Sequence, residues 1–166
     1  MKSVAFMLFL AAVQLATGAV HYVDNAATGA RNGTSWADAY TNIYRSSYAA
    51  GDTVYISGGT VSKTYHDAEF TPKGGTAGNP VTYKIGQDTG HNGLAIFDGT
   101  AAGSTAFLYG AAKNIVWSGD YNGETRFMIT NVSTTPVHLD DSSDVWLDHM
   151  IVNGVVRFNP GTNITL

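Results

Sequence analysis

Short runs in which apolar and polar residues alternate fill most of the chain, and no long segment keeps an apolar period near 3.6 residues. The alternating runs predict strands at Thr53–Ser57, Val81–Ile85, Leu94–Gly99, Ala106–Gly110, Asn114–Gly119, Arg126–Val132, Val137–Leu139, Asp144–Val152 and Asn163–Leu166. Gly, Asn, Asp or Pro punctuates nearly every gap between them. One helix is expected, over Ser35–Ala50. Ser35 would cap it, Trp36, Ala39, Tyr40, Ile43 and Tyr44 would share a face, and Gly51-Asp52 would stop it.

Short strands alone do not separate a coiled β-architecture from an antiparallel sandwich, but repeats do. "KNIVWSG" from Lys113, "SDVWLDH" from Ser143 and "TNITL" from Thr162 align, which makes Val116, Trp146 and Thr165 equivalent positions. Their uneven spacing suits coils with a recurrent strand and variable loops. In a parallel coil the same wall returns every ~4.8 Å, so equivalent side chains stack in ladders. The sandwich stays open as the alternative, with Asn122-Gly123 and Asp98-Gly99 as hairpin turns.

Composition agrees with short strands and tight turns. Charged residues make up only 13% of the 166 residues, whereas glycine numbers 19. Nine basic residues are scattered against a net charge of -4, so no basic stripe awaits a nucleic acid. Lys2, the apolar run Val4–Leu15 and the small residues "ATGA" have the order of a secretory signal peptide, expected over residues 1–19. The run is too short to span a membrane. Cysteine is absent, so the exported domain would have no disulfide framework.

"GDTVYISGGTV" (51–61), "GTAGNPVTYKI" (75–85), "IFDGT" (96–100) and "NIVWSG" (114–119) follow one another in an order that resembles the first coils of secreted right-handed parallel β-helix proteins. The similarity is greatest to the alginate-lyase and chondroitinase B type of polysaccharide lyase. "HYVDNAATGARNGTSWADAY" (21–40) resembles the leader of such proteins, where a strand and a short helix cap the coil. The resemblance implies an all-β, right-handed single-stranded parallel β-helix, with a cap over about 20–52 and coils over about 53–166. It further implies a secreted, extracellular, cell-surface or periplasmic carbohydrate-active protein. That protein would be the N-terminal part of a lyase that cleaves an acidic glycan by β-elimination, with the solenoid continuing past Leu166. "SSDVWLDH" (142–149) is similar to a block of pectate lyases whose preceding strand carries calcium-binding aspartates. Here those positions are Ser133 and Thr135, so no catalytic residue is carried over.

Candidate chemistry is concentrated near that block. Asp141, Asp144 and Asp148, with Asp140, would hold Ca²⁺ if their oxygens converged; the alternative is a solvated turn with local hydrogen bonds. His149 next to Asp148 has the composition of a general base, but adjacent strand residues point to opposite faces, which predicts no dyad. Lys84 and Lys113 or Arg126 are candidates for a base and an electrophile in uronate chemistry, or plain surface charges. Tyr109, Trp117, Tyr121 and Trp146, with Tyr83, are candidates for stacking on sugar rings; the alternative for the two tryptophans is a ladder against each other. A non-catalytic glycan-binding or adhesin module uses the same wall and remains the alternative to the lyase. A Thr-rich ice-binding surface fails because regular Thr-x-Thr rows do not recur.

Overall fold

Each alternating run pairs in parallel with its counterpart one turn later, and this repetition builds the molecule. A computed structural model describes residues 18–45, 47–66, 70–102, 107–159 and 161–166. Its strands are β1 (Val20–Val23), β2 (Thr53–Ile56), β3 (Ser62–Tyr65), β4 (Val81–Ile85), β5 (Leu94–Asp98), β6 (Leu108–Tyr109), β7 (Lys113–Ser118), β8 (Asp120–Tyr121), β9 (Glu124–Thr125), β10 (Phe127–Thr130), β11 (Val137–Asp140), β12 (Ser143–Asp148), β13 (Met150–Val152), β14 (Val156–Asn159) and β15 (Thr162–Thr165). Three parallel sheets result, in the orders β1-β2-β4-β7-β12-β15, β13-β10-β5-β3 and β14-β11-β6. From β4 to β14 each turn adds one strand to each of these sheets, while β1, β2, β3 and β15 extend only the first two, giving a β-solenoid of about four turns. Among the described residues the only helical element is a 3₁₀ turn at Gly99–Ala102, and no helix is long and apolar enough to cross a membrane.

The register explains which side chains face inward. Val54 pairs with Tyr83, Tyr83 with Trp117, and Trp117 with Leu147, and all four are buried. Strand alternation then sends the intervening ladder Thr53, Thr82, Val116, Trp146 and Thr165 to the outer face. The expected equivalence of Val116, Trp146 and Thr165 is therefore met residue for residue. Inside, the second sheet contributes Tyr65, its register partner Phe97 and the neighbouring Phe127, with rings 5.5 and 5.8 Å from that of Phe97. Tyr83 stacks on Trp117 at 4.9 Å, and Phe107 stacks on Phe97 at 4.4 Å. Each such aromatic pair adds about 0.5–1.5 kcal/mol beyond its area burial.

A left-handed residue recurs at the entrance to the six-stranded sheet. Asn114, Asp144 and Asn163 have φ of 53°, 55° and 54°, each as the second residue of its strand. Asn and Asp tolerate this conformation better than other side chains, which accounts for their recurrence at one offset. The Asn122-Gly123 turn is a true hairpin, with φ of 52° and 81°, joining the antiparallel β8 and β9. It is a local excursion from the third turn, and the sandwich alternative falls.

The helix expected over Ser35–Ala50 is absent; bends and turns occupy its described residues. The backbone of Tyr40 pairs with β1 instead: its amide donates to the Tyr22 carbonyl, and its own carbonyl accepts from the Asp24 amide. Ala39 and Ile43 are buried as expected, but Trp36 turns away to stack on His91 at 3.9 Å. A segment rich in Ser, Thr, Asn and Tyr has weak helix propensity, and sheet pairing outcompetes it.

Two buried carboxylates pin this segment to the coils. Asp52 accepts from the Ala19 and Ala49 amides, both at 2.8 Å, and lies 3.0 Å from His21 Nε2. Burial pushes its carboxyl up, but the Ala49 amide, His21 and the Ala19 amide together hold it below the ordinary 3.8. Asp24 is similar. Burial opposes its ionisation, yet hydrogen bonds from Lys63, the Ala26 amide and Ser57, with the Lys63 charge, hold it below 3.8. His91 is pushed below 6.5, first by burial and further by Lys63, against the opposing pull of Asp24 and Asp88.

Asp52→Ala should reduce unfolding free energy by about 2–3 kcal/mol in urea denaturation, because two backbone donors lose a charged acceptor. Stability should also fall on acidification in two windows. The His91 contribution is complete above 6.5, where the unfolded state has not yet taken up its proton, and declines as pH falls towards the lower folded value. The Asp24 and Asp52 contributions are complete above 3.8 and are lost as pH falls through their depressed folded values. Denaturation midpoints against pH check both, and His91→Gln should remove the upper step alone.

Candidate functional site on the outer wall

The outer face of the six-stranded sheet is where wall chemistry is free of core packing. Beside its outer ladder lies a groove of about 380 Å³. Its rim is formed by Ala77, Gly78 and Pro80 from the turn before β4. Its polar side is the left-handed series Asn114, Asp144 and Asn163, and its floor includes Val116, Trp146 and Thr165. Trp146 is 51% exposed, and the Asn163 amide donates to Asp144 Oδ1 at 2.9 Å. The groove thus combines an accessible indole face with amide and carboxylate groups, the mixture that suits apolar ring faces carrying hydroxyls.

The aromatic candidates do not gather on one surface. Trp117 is completely buried, so it neither meets ligand nor forms a ladder with Trp146: in register Trp146 pairs with Val116, and the two indoles lie on opposite faces of the sheet. Tyr83 is also buried, with its hydroxyl accepting from the Lys73 amide and donating to the Lys73 carbonyl. Tyr109 is exposed on the third sheet, edge-on to His138 at 5.4 Å. Tyr121 sits in the β8–β9 hairpin with the Arg126 guanidinium 5.9 Å above its ring. Only Trp146 lines the groove.

The aspartates are likewise dispersed. Asp141 borders a separate depression with Lys113, Ser142 and Ser143, Asp144 faces the groove, and Asp148 accepts from Ser118 Oγ at 3.2 Å. Among the described residues no group of three or more His, Asp or Glu side chains is arranged to hold a metal ion. Arg126 is engaged by Glu124.

Asp148 and His149 depart from the expectation of opposed side chains. His149 Nδ1 lies 2.5 Å from Asp148 Oδ1, and its Nε2 lies 3.8 Å from Asp120 Oδ1. The reason is local: His149 has φ 48°, so strand alternation stops at Asp148 and the ring folds back beside it. Gly119 permits this approach, because a Cβ there would lie 2.2 Å from the His149 carbonyl oxygen. Lys84 occupies the same outer row, next to Ser118 in register. A histidine oriented by a carboxylate is the arrangement of a proton acceptor.

Asn114, Asn163 and Asp120 were not among the binding or catalytic candidates read from the sequence. The first two carried a readable signal, since K-N-I, S-D-V and T-N-I place them at Asp144's offset. Asp120 had none, because a hairpin brings it to His149.

Trp117→Ala should cost about 3–5 kcal/mol through the cavity it leaves, whereas Trp146→Ala should change stability by no more than about 0.5 kcal/mol. In acrylamide quenching the accessible component should shrink in Trp146→Ala to the share of the half-buried Trp36, and persist in full in a refolded Trp117 variant. No protein-family model, curated protein or solved structure matches this chain, and the fold and site therefore rest on its own residues.

Proposed function

We propose that this chain is a carbohydrate-binding β-solenoid whose glycan lies in the outer-wall groove against Trp146. The observation that carries the reading is the half-exposed indole flanked by Asn114, Asp144 and Asn163. An aromatic face offers apolar contact to the C–H face of a sugar, while amides and a carboxylate serve its hydroxyls. The strand framework holds these groups in place, which lowers the ordering cost of binding. Lys2, the apolar run Val4–Leu15 and the small residues that follow support action outside the cytoplasm, testable by N-terminal sequencing of exported protein.

A second reading, catalysis by β-elimination on an acidic glycan, is favoured by the Asp148–His149 pair. His149 Nε2 would take the proton at C5. The C5–H bonding pair would form the C4–C5 double bond as the C4–O bond broke, and the departing oxygen would take a proton from solvent water, His149 later releasing its own to solvent. Lys84 is the cation on the same outer row that would face the sugar carboxylate.

Calorimetric titration with oligosaccharides tests the first reading. Trp146→Ala is expected to weaken binding by roughly tenfold or more while circular dichroism stays unchanged. A folded wild-type protein that takes up no glycan ends it. The second reading predicts ultraviolet absorbance from an unsaturated uronate product and its loss in His149→Gln.

A further inference from the structure

The charge pattern of the groove narrows its ligand, on the footing that the groove holds glycan at all. Among the described residues lining it, Asp144 is the only ionisable side chain, and no cation is present. Lys113 borders the neighbouring depression beside Asp141, and Lys84 stands on the other outer row, beyond Ser118 from Asp148. A uronic-acid polymer carries a carboxylate on every sugar, so a ring seated on Trp146 would bring one towards Asp144 without a neutralising partner. Two like charges about 4 Å apart weaken association by roughly fivefold even at the dielectric of water, and by more beside a protein wall.

An uncharged sugar meets no such penalty. The Asp144 carboxylate accepts hydrogen bonds only, whereas the Asn114 and Asn163 amides both donate and accept, which suits hydroxyls that do both. Asp144 already commits Oδ1 to the Asn163 amide, leaving it a hydroxyl acceptor more than a counter-ion for a cationic sugar. We infer that the groove beside Trp146 selects an uncharged glycan and discriminates against uronates, with Asp144 as the discriminating residue.

The test is calorimetric titration of the chain with hexamers of glucose, mannose and xylose, of guluronate and galacturonate, and of glucosamine, at low and physiological salt. At least one neutral hexamer should bind roughly tenfold tighter than either uronate, with little dependence on salt. Asp144→Asn should lower that ratio severalfold. This variant should fold, since asparagine occupies the equivalent left-handed position at Asn114 and Asn163. A merely structural Asp144 would leave the ratio unmoved, and that result overturns the inference. Uronate binding equal to or tighter than neutral binding, or salt-sensitive preference for the glucosamine hexamer, overturns it too while leaving glycan binding intact. Failure of every hexamer to bind the folded protein overturns the glycan reading itself.

Discussion

Parallel backbone pairing between successive turns is the constraint on which the rest of the structure depends. Once β7 pairs with β4 and β12 with β7, every position is obliged to sit ~4.8 Å from its counterpart. Ile115, Val145 and Ile164 thereby stack on the inner side, and Val116, Trp146 and Thr165 on the outer. A slip of one residue would exchange the two sets and expose the core. The left-handed residues Asn114, Asp144 and Asn163 stand just before this exchange point, so each turn enters the sheet with the same bend and the same register.

The first turn needs a different solution, because β1 has coil on one side only. The bridge between Val23 and Tyr40 covers its free edge, and Asp24 and Asp52 tie the intervening segment down. These two carboxylates are nearly inaccessible, yet they remain ionised because several donors converge on each. Burying a charge is tolerable only on that condition. Acid sensitivity follows from the same arrangement that holds the edge.

How much of this was legible follows from the range of the interactions. Strand positions and the Val116–Trp146–Thr165 equivalence were readable because alternation and repetition are local patterns. The Ser35–Ala50 helix was misread because its apolar spacing is helical while its backbone is claimed by β1, a partner distant in sequence. Trp117 and Trp146 looked alike as aromatic residues in aligned strands. They sit one position apart in the ladder, however, and one position is the difference between core and surface. The Asp148–His149 pair was missed for the opposite reason: alternation was assumed to continue through His149, where a left-handed φ ends it.

That break in alternation also links the two features of the wall. Trp146 and Asp148 are two residues apart on one strand and face the same side, so roughly 7 Å separates their backbones. A ligand lying along β12 from the groove reaches the Asp148–His149 pair within one or two sugar lengths. If strand geometry had continued through His149, its ring would have faced away from this outer row. Because it folds back, the Trp146 indole and the His149 imidazole share one face. The wall can vary its chemistry in this way because neither side chain belongs to the buried core. Either side chain can therefore change without disturbing the register that builds the solenoid.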